Sequence, residues 1–215
     1  MQTLTPNDVT TWNWPAIAKS LDEQGYATTP PALSPADCAE LIALYDQPEA
    51  WQDRIQQDTY RLGPGEHQRF TTPPPTVVEL QTNCYPQLAA LTELWQDLPP
   101  NNNPQPTTLM TKHRAHEYQS LHQQDERTFP LQLTIMLSQH RKQYTGGELL
   151  LVENHPRAQS RGRAITLKQG EAVIHPSNHR TARGKRGYYK VNVRQGISKV
   201  HTGTRHALTI TYHHK

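Results

Sequence analysis

The sequence predicts an α+β fold in which helices pack on one sheet of a double-sheet jelly roll. Apolar residues recur at helical spacing through the first hundred residues, but after Thr107 they alternate with polar ones in short segments. Glycine-containing turns separate these segments, and short, regularly spaced strands are typical of a sandwich or barrel. Helices gathered ahead of the strands favour packing on one sheet.

Helices are predicted between Trp14 and Leu98. Gly25 follows a helical pattern directly, at the position that glycine favours just past a helix end. Ser34 precedes Pro35 and Asp37, a pattern that is typical of the start of a second helix. A third helical stretch contains Pro86, near which an interruption is expected because proline lacks a backbone N–H. These helices make residues 1–106 a mainly helical support.

The jelly-roll core is predicted over residues 107–215. Its clearest strand runs from Leu131 to Ser138, where leucine and isoleucine alternate with polar residues as in a half-buried strand. The chain of 215 residues has the length of one domain, so residues 1–215 are expected to form a single unit. Further strands are predicted at 148–152, 164–167, 172–175, 188–193 and 205–212.

Composition restricts the partners. A formal net charge of +3 gives no clear nucleic-acid signal. Cys38 and Cys84 are isolated in the sequence, which favours buried thiols in a reducing cytoplasm. No apolar run approaches the length of a membrane span, and the amino terminus lacks the pattern of a signal peptide, so a cytoplasmic protein is expected. No pattern specifies an oligomeric state or a substrate.

A histidine followed closely by a carboxylate, in residues 120–126, is half of an iron site. In a facial triad, two histidines and one carboxylate hold Fe(II) and leave the opposite face open. The usual spacing puts the carboxylate two residues after the first histidine, on the same side of an extended backbone. After His122 that position holds Gln124, and the acid is Asp125.

Several motifs follow one another along the chain, at residues 25–27, 33–38, 63–66, 122–125, 129–132, 145–148, 156–161, 169–173 and 203–206. In this order they resemble the Fe(II)/2-oxoglutarate-dependent oxygenases, specifically a bacterial prolyl-hydroxylase-like branch. The resemblance implies a double-stranded β-helix, iron held by a His-x-Asp pair and a distal histidine, and 2-oxoglutarate held by a basic residue on a late strand.

Residue by residue, the resemblance matches His122 to the first metal ligand and Arg205 to the 2-oxoglutarate clasp. Gln124 stands where the carboxylate belongs. Gln195, ten residues ahead of the arginine, stands where the branch carries its distal histidine. A bulge after the strand end could bring Asp125 into the carboxylate role.

Histidines near the distal position are candidates for the third ligand. The sequence has twelve histidines, so proximity along the chain alone is a weak indication. We include His179 among the candidate metal ligands, and His175 and His201 lie nearby in the sequence. The candidate ligands are then His122, Asp125, Gln124, Gln195 and His179.

Two classes of function stay open. In the first, iron and 2-oxoglutarate hydroxylate an unknown substrate, with succinate as the second product; the resemblance favours this oxygenase. In the second, the fold has lost iron and serves as a binding or regulatory module, or holds a different metal through histidines. The two glutamines favour the second class.

Overall fold

The computed structural model describes residues 8–93, 105–125, 127–184 and 187–213. Within these residues it has three α-helices and thirteen β-strands. The helices are α1 (Trp14–Gln24), α2 (Pro35–Leu44) and α3 (Pro75–Glu93), with 3-10 turns at Val9–Thr11, Pro48–Ala50 and Gln57–Tyr60. None of the described helices has the length and apolar character needed to cross a bilayer.

The strands form two antiparallel sheets. The strands are β1 (Ala27–Pro31), β2 (Trp51–Gln56), β3 (Glu66–Phe70), β4 (Gln105–Arg114), β5 (Gln119–His122), β6 (Leu131–Met136), β7 (Tyr144–Gly146), β8 (Leu149–Asn154), β9 (Arg161–Ile165), β10 (Glu171–Pro176), β11 (His179–Gly184), β12 (Gly187–Ile197) and β13 (Val200–His213). The larger sheet has the order β1-β10-β6-β13-β4-β3-β2, with β7 beside β13, and the smaller has the order β11-β12-β8-β9, with β5 beside β12. This arrangement confirms the predicted double-stranded β-helix.

One face of the larger sheet packs against the helices. Leu133 and Ile135 of β6 are fully buried in the same apolar cluster as Leu21 of α1, Leu41 of α2 and Leu88 of α3. Burying each such side chain contributes about 1.5–3 kcal/mol. A second apolar cluster, which includes Met136, Leu149, Leu151 and Val173, lies between the two sheets.

The predicted helix ends are found. Gly25 has φ +81° at the end of α1, and Ser34 caps α2 by accepting the backbone N–H of Asp37, whose carboxylate accepts the N–H of Ser34 in return. This reciprocal pair satisfies two donors that a helix start leaves free. The predicted break at Pro86 is wrong, because α3 continues through it.

Three strands that were not predicted lie among the helices of residues 1–106. β1 extends one edge of the larger sheet beside β10, and β2 and β3 extend the other edge beside β4. Their sequences are polar, with Glu66 and Gln68 buried on β3, so they lack the apolar alternation by which a strand is recognised. The amino-terminal segment thus contributes to the sheet as well as covering it.

β6 also differs from the expected half-exposed strand, because all six of its residues are buried. Leu131, Leu133 and Ile135 face the helices, while Gln132 and Thr134 line a cavity on the other side. The alternation in the sequence therefore separates a dry core from a polar interior, and not a core from solvent.

Gly203 lies within β13, where the strand approaches the backbone of Gln143 closely. Its φ is +75°, and an added Cβ would lie 1.9 Å from the carbonyl oxygen of Gln143. We expect Gly203→Ala to lower the free energy of unfolding by roughly 2–4 kcal/mol, through strain and displacement of that backbone. Gly162→Ala is the control, since nothing lies within 4 Å of its added Cβ. Urea unfolding of both variants measures the difference, and equal losses would contradict the expectation.

Candidate functional site: a polar cavity between the sheets

A cavity of about 350 Å³ opens between the two sheets. Strands of both sheets supply its walls, and the 3-10 turn at Gln57–Tyr60 contributes at one side. The lining is rich in carboxamides and includes no Asp or Glu side chain among the described residues. The lining residues are Gln57, Tyr60, Leu62, His67, Leu109, Thr111, Gln119, His122, Gln123, Gln124, Gln132, Thr134, Leu149, Gln195, Ile197, Arg205, Ala207 and Thr209.

Arg205 on β13 presents a buried cation to this cavity. Its side chain is 1% exposed, and its Nε donates to the carbonyl oxygen of Gly147 at 2.9 Å. Its two terminal nitrogens are buried and have no hydrogen-bond partner. Burial lowers the pKa of the guanidinium, but an arginine in a protein stays charged. The forked end of Arg205 is therefore available to a ligand oxygen pair.

The surroundings of Arg205 fix its orientation without neutralising it. Gly147 has φ +66°, and an added Cβ would lie 2.9 Å from the Arg205 Cδ, so only glycine permits this close approach. Glu148 is the carboxylate that interacts with Arg205 electrostatically, but it already accepts a hydrogen bond from the Ser198 hydroxyl. No salt bridge to Arg205 occurs among the residues that the structure describes.

His122 ends β5 with its imidazole at the cavity. Its Nδ1 lies 3.0 Å from the Ser120 carbonyl oxygen. Because a carbonyl only accepts, Nδ1 carries the proton and Nε2 keeps its lone pair. Burial lowers the pKa of His122, which favours the neutral ring. A neutral imidazole held in one tautomer by a backbone carbonyl is the form in which histidine binds metals.

The two glutamines identified from the sequence lie beside His122. Gln195 on β12 is paired directly with His122 in the antiparallel ladder, and its Oε1 accepts a hydrogen bond from Nε2 of Gln132 at 2.8 Å. Gln124 lines the cavity, and its backbone N–H donates to the Ser177 carbonyl. The structure therefore brings His122, Gln124, Gln195 and Arg205 to one cavity.

Asp125 does not come to the cavity, which corrects its expected role as the carboxylate ligand. It is exposed, and its carboxylate accepts hydrogen bonds from the backbone and side chain of Arg127. The Thr128 N–H donates to the Asp125 carbonyl, closing a turn. This turn directs the acid outward and keeps the Asp125 pKa low, chiefly through the hydrogen bonds from Arg127.

His179 is also outside the lining, because of strand alternation. It pairs with Asn192, whereas the inward residues of β12 are Val191, Val193 and Gln195. Its expected role as a metal ligand is therefore not supported by its position.

The other two histidines near the distal position also lie outside the lining. His175 is buried beside the cavity with its Nε2 3.3 Å from the Thr134 hydroxyl, and His201 is exposed. None of the three histidines chosen for their proximity along the chain therefore completes a triad with His122.

The donor set does not fit Fe(II). His122 and His67 supply imidazoles at the lining, but Gln124 and Gln195 supply neutral carboxamides, and the Gln195 oxygen is already in use by Gln132. Fe(II) in a facial triad is held by two histidines and a carboxylate. Among the described residues, no group of three His, Cys, Asp or Glu side chains could hold a metal ion. The cavity keeps the arginine at position 205 and lacks a carboxylate at the positions matched to metal ligands.

Sequence reasoning missed much of the cavity wall. Gln57 comes from a 3-10 turn with no regular pattern, and it reaches Nε2 of His113 at 3.1 Å. Gln132 and Thr134 carried a signal, since polar residues two apart on a strand share one face. That signal was interpreted as a solvent-facing side.

Known proteins resemble this chain in sequence. The model of a protein family described as an oxygenase catalysing oxidative methylation of damaged DNA matches residues 98–215. The chain belongs to this oxygenase family. Two uncharacterised proteins of Mycobacterium tuberculosis, Rv2227 of strain H37Rv and MT2286 of strain CDC 1551 / Oshkosh, are each 43% identical over 109 residues. These cover 50% of this chain and 47% of those proteins, so the chain spans about half the length of the curated relatives it matches.

Solved structures resemble this oxygenase-family chain in fold. A Pseudomonas putida prolyl-4-hydroxylase has a TM-score of 0.66 at 12% identity, covering 94% of this chain and 99% of that one. The non-heme α-ketoglutarate-dependent epimerase SnoN, from nogalamycin biosynthesis, has a TM-score of 0.61 at 16% identity, with 93% and 81% covered. At these identities the likeness establishes the double-stranded β-helix of 2-oxoglutarate-Fe(II) oxygenases and leaves activity to the site.

The buried His113 predicts a dependence of stability on pH. Burial, and then the charge of Arg205, lowers its pKa to about 3, whereas an unfolded histidine titrates near 6.5. Its contribution is therefore complete above pH 6.5 and declines as the pH falls, because only the unfolded state takes up the proton. We expect up to about 2 kcal/mol to be lost between pH 6.5 and 5 from this group.

Urea unfolding at the two pH values measures this loss. His113→Gln should reduce it, and His116→Gln, at an exposed histidine, should leave it unchanged. A loss of the same size in His113→Gln and the wild-type protein would show that other groups account for the pH dependence.

Proposed function

We propose that this chain uses the oxygenase fold as a carboxylate-binding module without the iron of the family. The carrying observation is the buried Arg205, which lines the cavity and whose two terminal nitrogens have no hydrogen-bond partner. A guanidinium fork binds a carboxylate through two parallel hydrogen bonds. The neutral donors at Gln124 and Gln195 support ligand binding over turnover, since they supply neither the carboxylate nor the imidazole of a triad.

Hydroxylation is the second candidate, and the family match over residues 98–215 favours it. In that case 2-oxoglutarate would be the co-substrate and succinate a product, and damaged DNA, on which the family is described as acting, would be the first substrate to try. His122 would then have to hold iron with donors other than a triad. We expect either activity in the cytoplasm, the compartment inferred from the two isolated cysteines.

Metal content separates the two candidates. We expect purified protein, loaded anaerobically with Fe(II), to retain no stoichiometric iron and to release no succinate from 2-oxoglutarate. The double variant Gln124→Asp/Gln195→His should bind iron, because it supplies a carboxylate and an imidazole beside His122. Elemental analysis and NMR detection of succinate are the measurements.

Single variants test the opposite result. If the wild-type protein holds iron and makes succinate, and His122→Ala loses both, the oxygenase assignment stands and the binding module is withdrawn. Asp125→Ala is the matched control, since its carboxylate is turned to Arg127, and its loss should change neither readout.

The proposed binding of carboxylates by Arg205 is tested by replacing this residue. Arg205→Met keeps much of the side-chain volume and removes a buried charge that no described carboxylate pairs with. We expect the ligand-free stability to stay equal or to rise, since an uncompensated buried charge is costly, while stabilisation by small carboxylates disappears. Thermal unfolding with a panel of mono- and dicarboxylates that includes 2-oxoglutarate measures both effects.

Arg194→Met is the matched control, because Arg194 is exposed on β12. It should keep the full ligand-induced shift. A shift retained in Arg205→Met would remove that residue from the site, and the absence of any shift in the wild-type protein would count against a carboxylate-binding module.

A further inference from the structure

The cavity has a low and unbalanced charge. At pH 8 an ordinary imidazole is neutral, so Arg205 is the sole formally charged side chain among the described residues of the lining. No acidic side chain faces it there. The remaining polar lining consists of neutral groups, including six glutamines among the described residues.

An iron site of the kind that the sequence resembles has a different balance. A divalent metal, one carboxylate ligand and one arginine leave two net positive charges, which match the two carboxylates of 2-oxoglutarate. This cavity has no carboxylate in the described lining and no residue set that fits the metal. The lining therefore carries one positive charge, that of Arg205. A second carboxylate brought into this cavity would lose its hydration without gaining an opposite charge, which is strongly unfavourable.

The amide pair beside His122 offers another kind of contact. The hydrogen bond from Gln132 to Gln195 uses one donor of Gln132 and the acceptor of Gln195. It leaves the Gln132 Oε1 as a buried acceptor without a partner, and the Gln195 Nε2 as a donor. One donor and one acceptor on adjacent carboxamides complement a ligand carboxamide, or a hydroxyl, which can both donate and accept.

We propose that the cavity binds a small monocarboxylic acid whose opposite end is a neutral carboxamide or hydroxyl group. Arg205 binds the carboxylate, and the Gln132–Gln195 pair, with Gln124 nearby, binds the neutral end. This inference rests on the proposed carboxylate binding at Arg205 and specifies its ligand class. The replacement of the metal ligands by glutamines is, on this account, a change of specificity from a dianion to a monoanion.

Matched pairs of compounds test the charge requirement. Succinate and succinamate, glutarate and glutaramate, and 2-oxoglutarate and 2-oxoglutaramate each differ by one carboxylate exchanged for an amide of the same size. Calorimetric titration at pH 8 and low salt, with a chelator present, should show the monoamide binding at least about tenfold tighter than its dicarboxylate in each pair that binds.

A charge-adding variant tests the reverse. Gln124 is half-buried at the cavity, and its side chain forms no hydrogen bond within the described part of the chain, so Gln124→Lys adds a cation with little loss of contacts. It should shift the preference toward the dicarboxylates by about tenfold. Gln52→Lys, on the exposed side of β2, adds the same charge away from the cavity and should leave the preference unchanged.

The outcomes distinguish this inference from the proposed function. A dicarboxylate that binds as tightly as its monoamide, or a preference unaltered by Gln124→Lys, would overturn the monoanion specificity while carboxylate binding at Arg205 stands. Binding that persists in Arg205→Met, or no binding by any member of the panel, would overturn the carboxylate site itself. Tighter binding of the monoamides, together with a preference that Gln124→Lys shifts and Gln52→Lys does not, would support both the carboxylate site and its monoanion specificity.

Discussion

The burial of the Arg205 charge is the constraint on which the rest of the site depends. A guanidinium removed from water without a salt-bridge partner loses several kcal/mol of hydration. The fold offsets part of this through the hydrogen bond from Nε to the Gly147 carbonyl, which requires a glycine at positive φ. The antiparallel pairing of β7 with β13, which includes the positive-φ glycine at 203, holds these groups in place. The terminal nitrogens stay unpaired, so an anionic ligand is the one component that would complete the arrangement.

Elsewhere in the cavity, His122 lies beside neutral carboxamides. In the antiparallel ladder His122 faces Gln195, so the two backbone positions needed for a ligand pair are retained. Their donors are not, because the Gln195 carboxamide is tied to Gln132 on the other sheet. That hydrogen bond joins the two sheets, because Gln132 lies on the larger sheet and Gln195 on the smaller. The contact beside His122 is therefore neutral and directional.

Periodicity in the sequence was sufficient to predict the jelly roll and its covering helices, because core packing imposes spacing of 2 and 3.6 residues. The same pattern failed for β2 and β3, whose buried residues are polar. The motifs also identified four residues that line the cavity, because strand register fixes where motif residues lie. These residues are His122, Gln124, Gln195 and Arg205.

Asp125 could not be predicted in the same way. The direction of a side chain in a turn depends on local hydrogen bonds, and those of Arg127 turn this acid outward. Gln57 was missed for a related reason, since the 3-10 turn that carries it has no sequence period. Loop residues that reach a cavity are recognised only when the cavity itself is known.

The separation of core from cavity explains why the fold and the family assignment persist while the donor set changes. On β6, Leu133 and Ile135 hold the helices, whereas Gln132 and Thr134 on the opposite face contact the cavity. Substitutions on one face leave the packing of the other unchanged, so a site can exchange charged donors for amides without loss of the double-stranded β-helix. What such a site binds is then decided by its charge balance, because the free energy of placing an unpaired charge in a buried cavity exceeds that of any single neutral hydrogen bond.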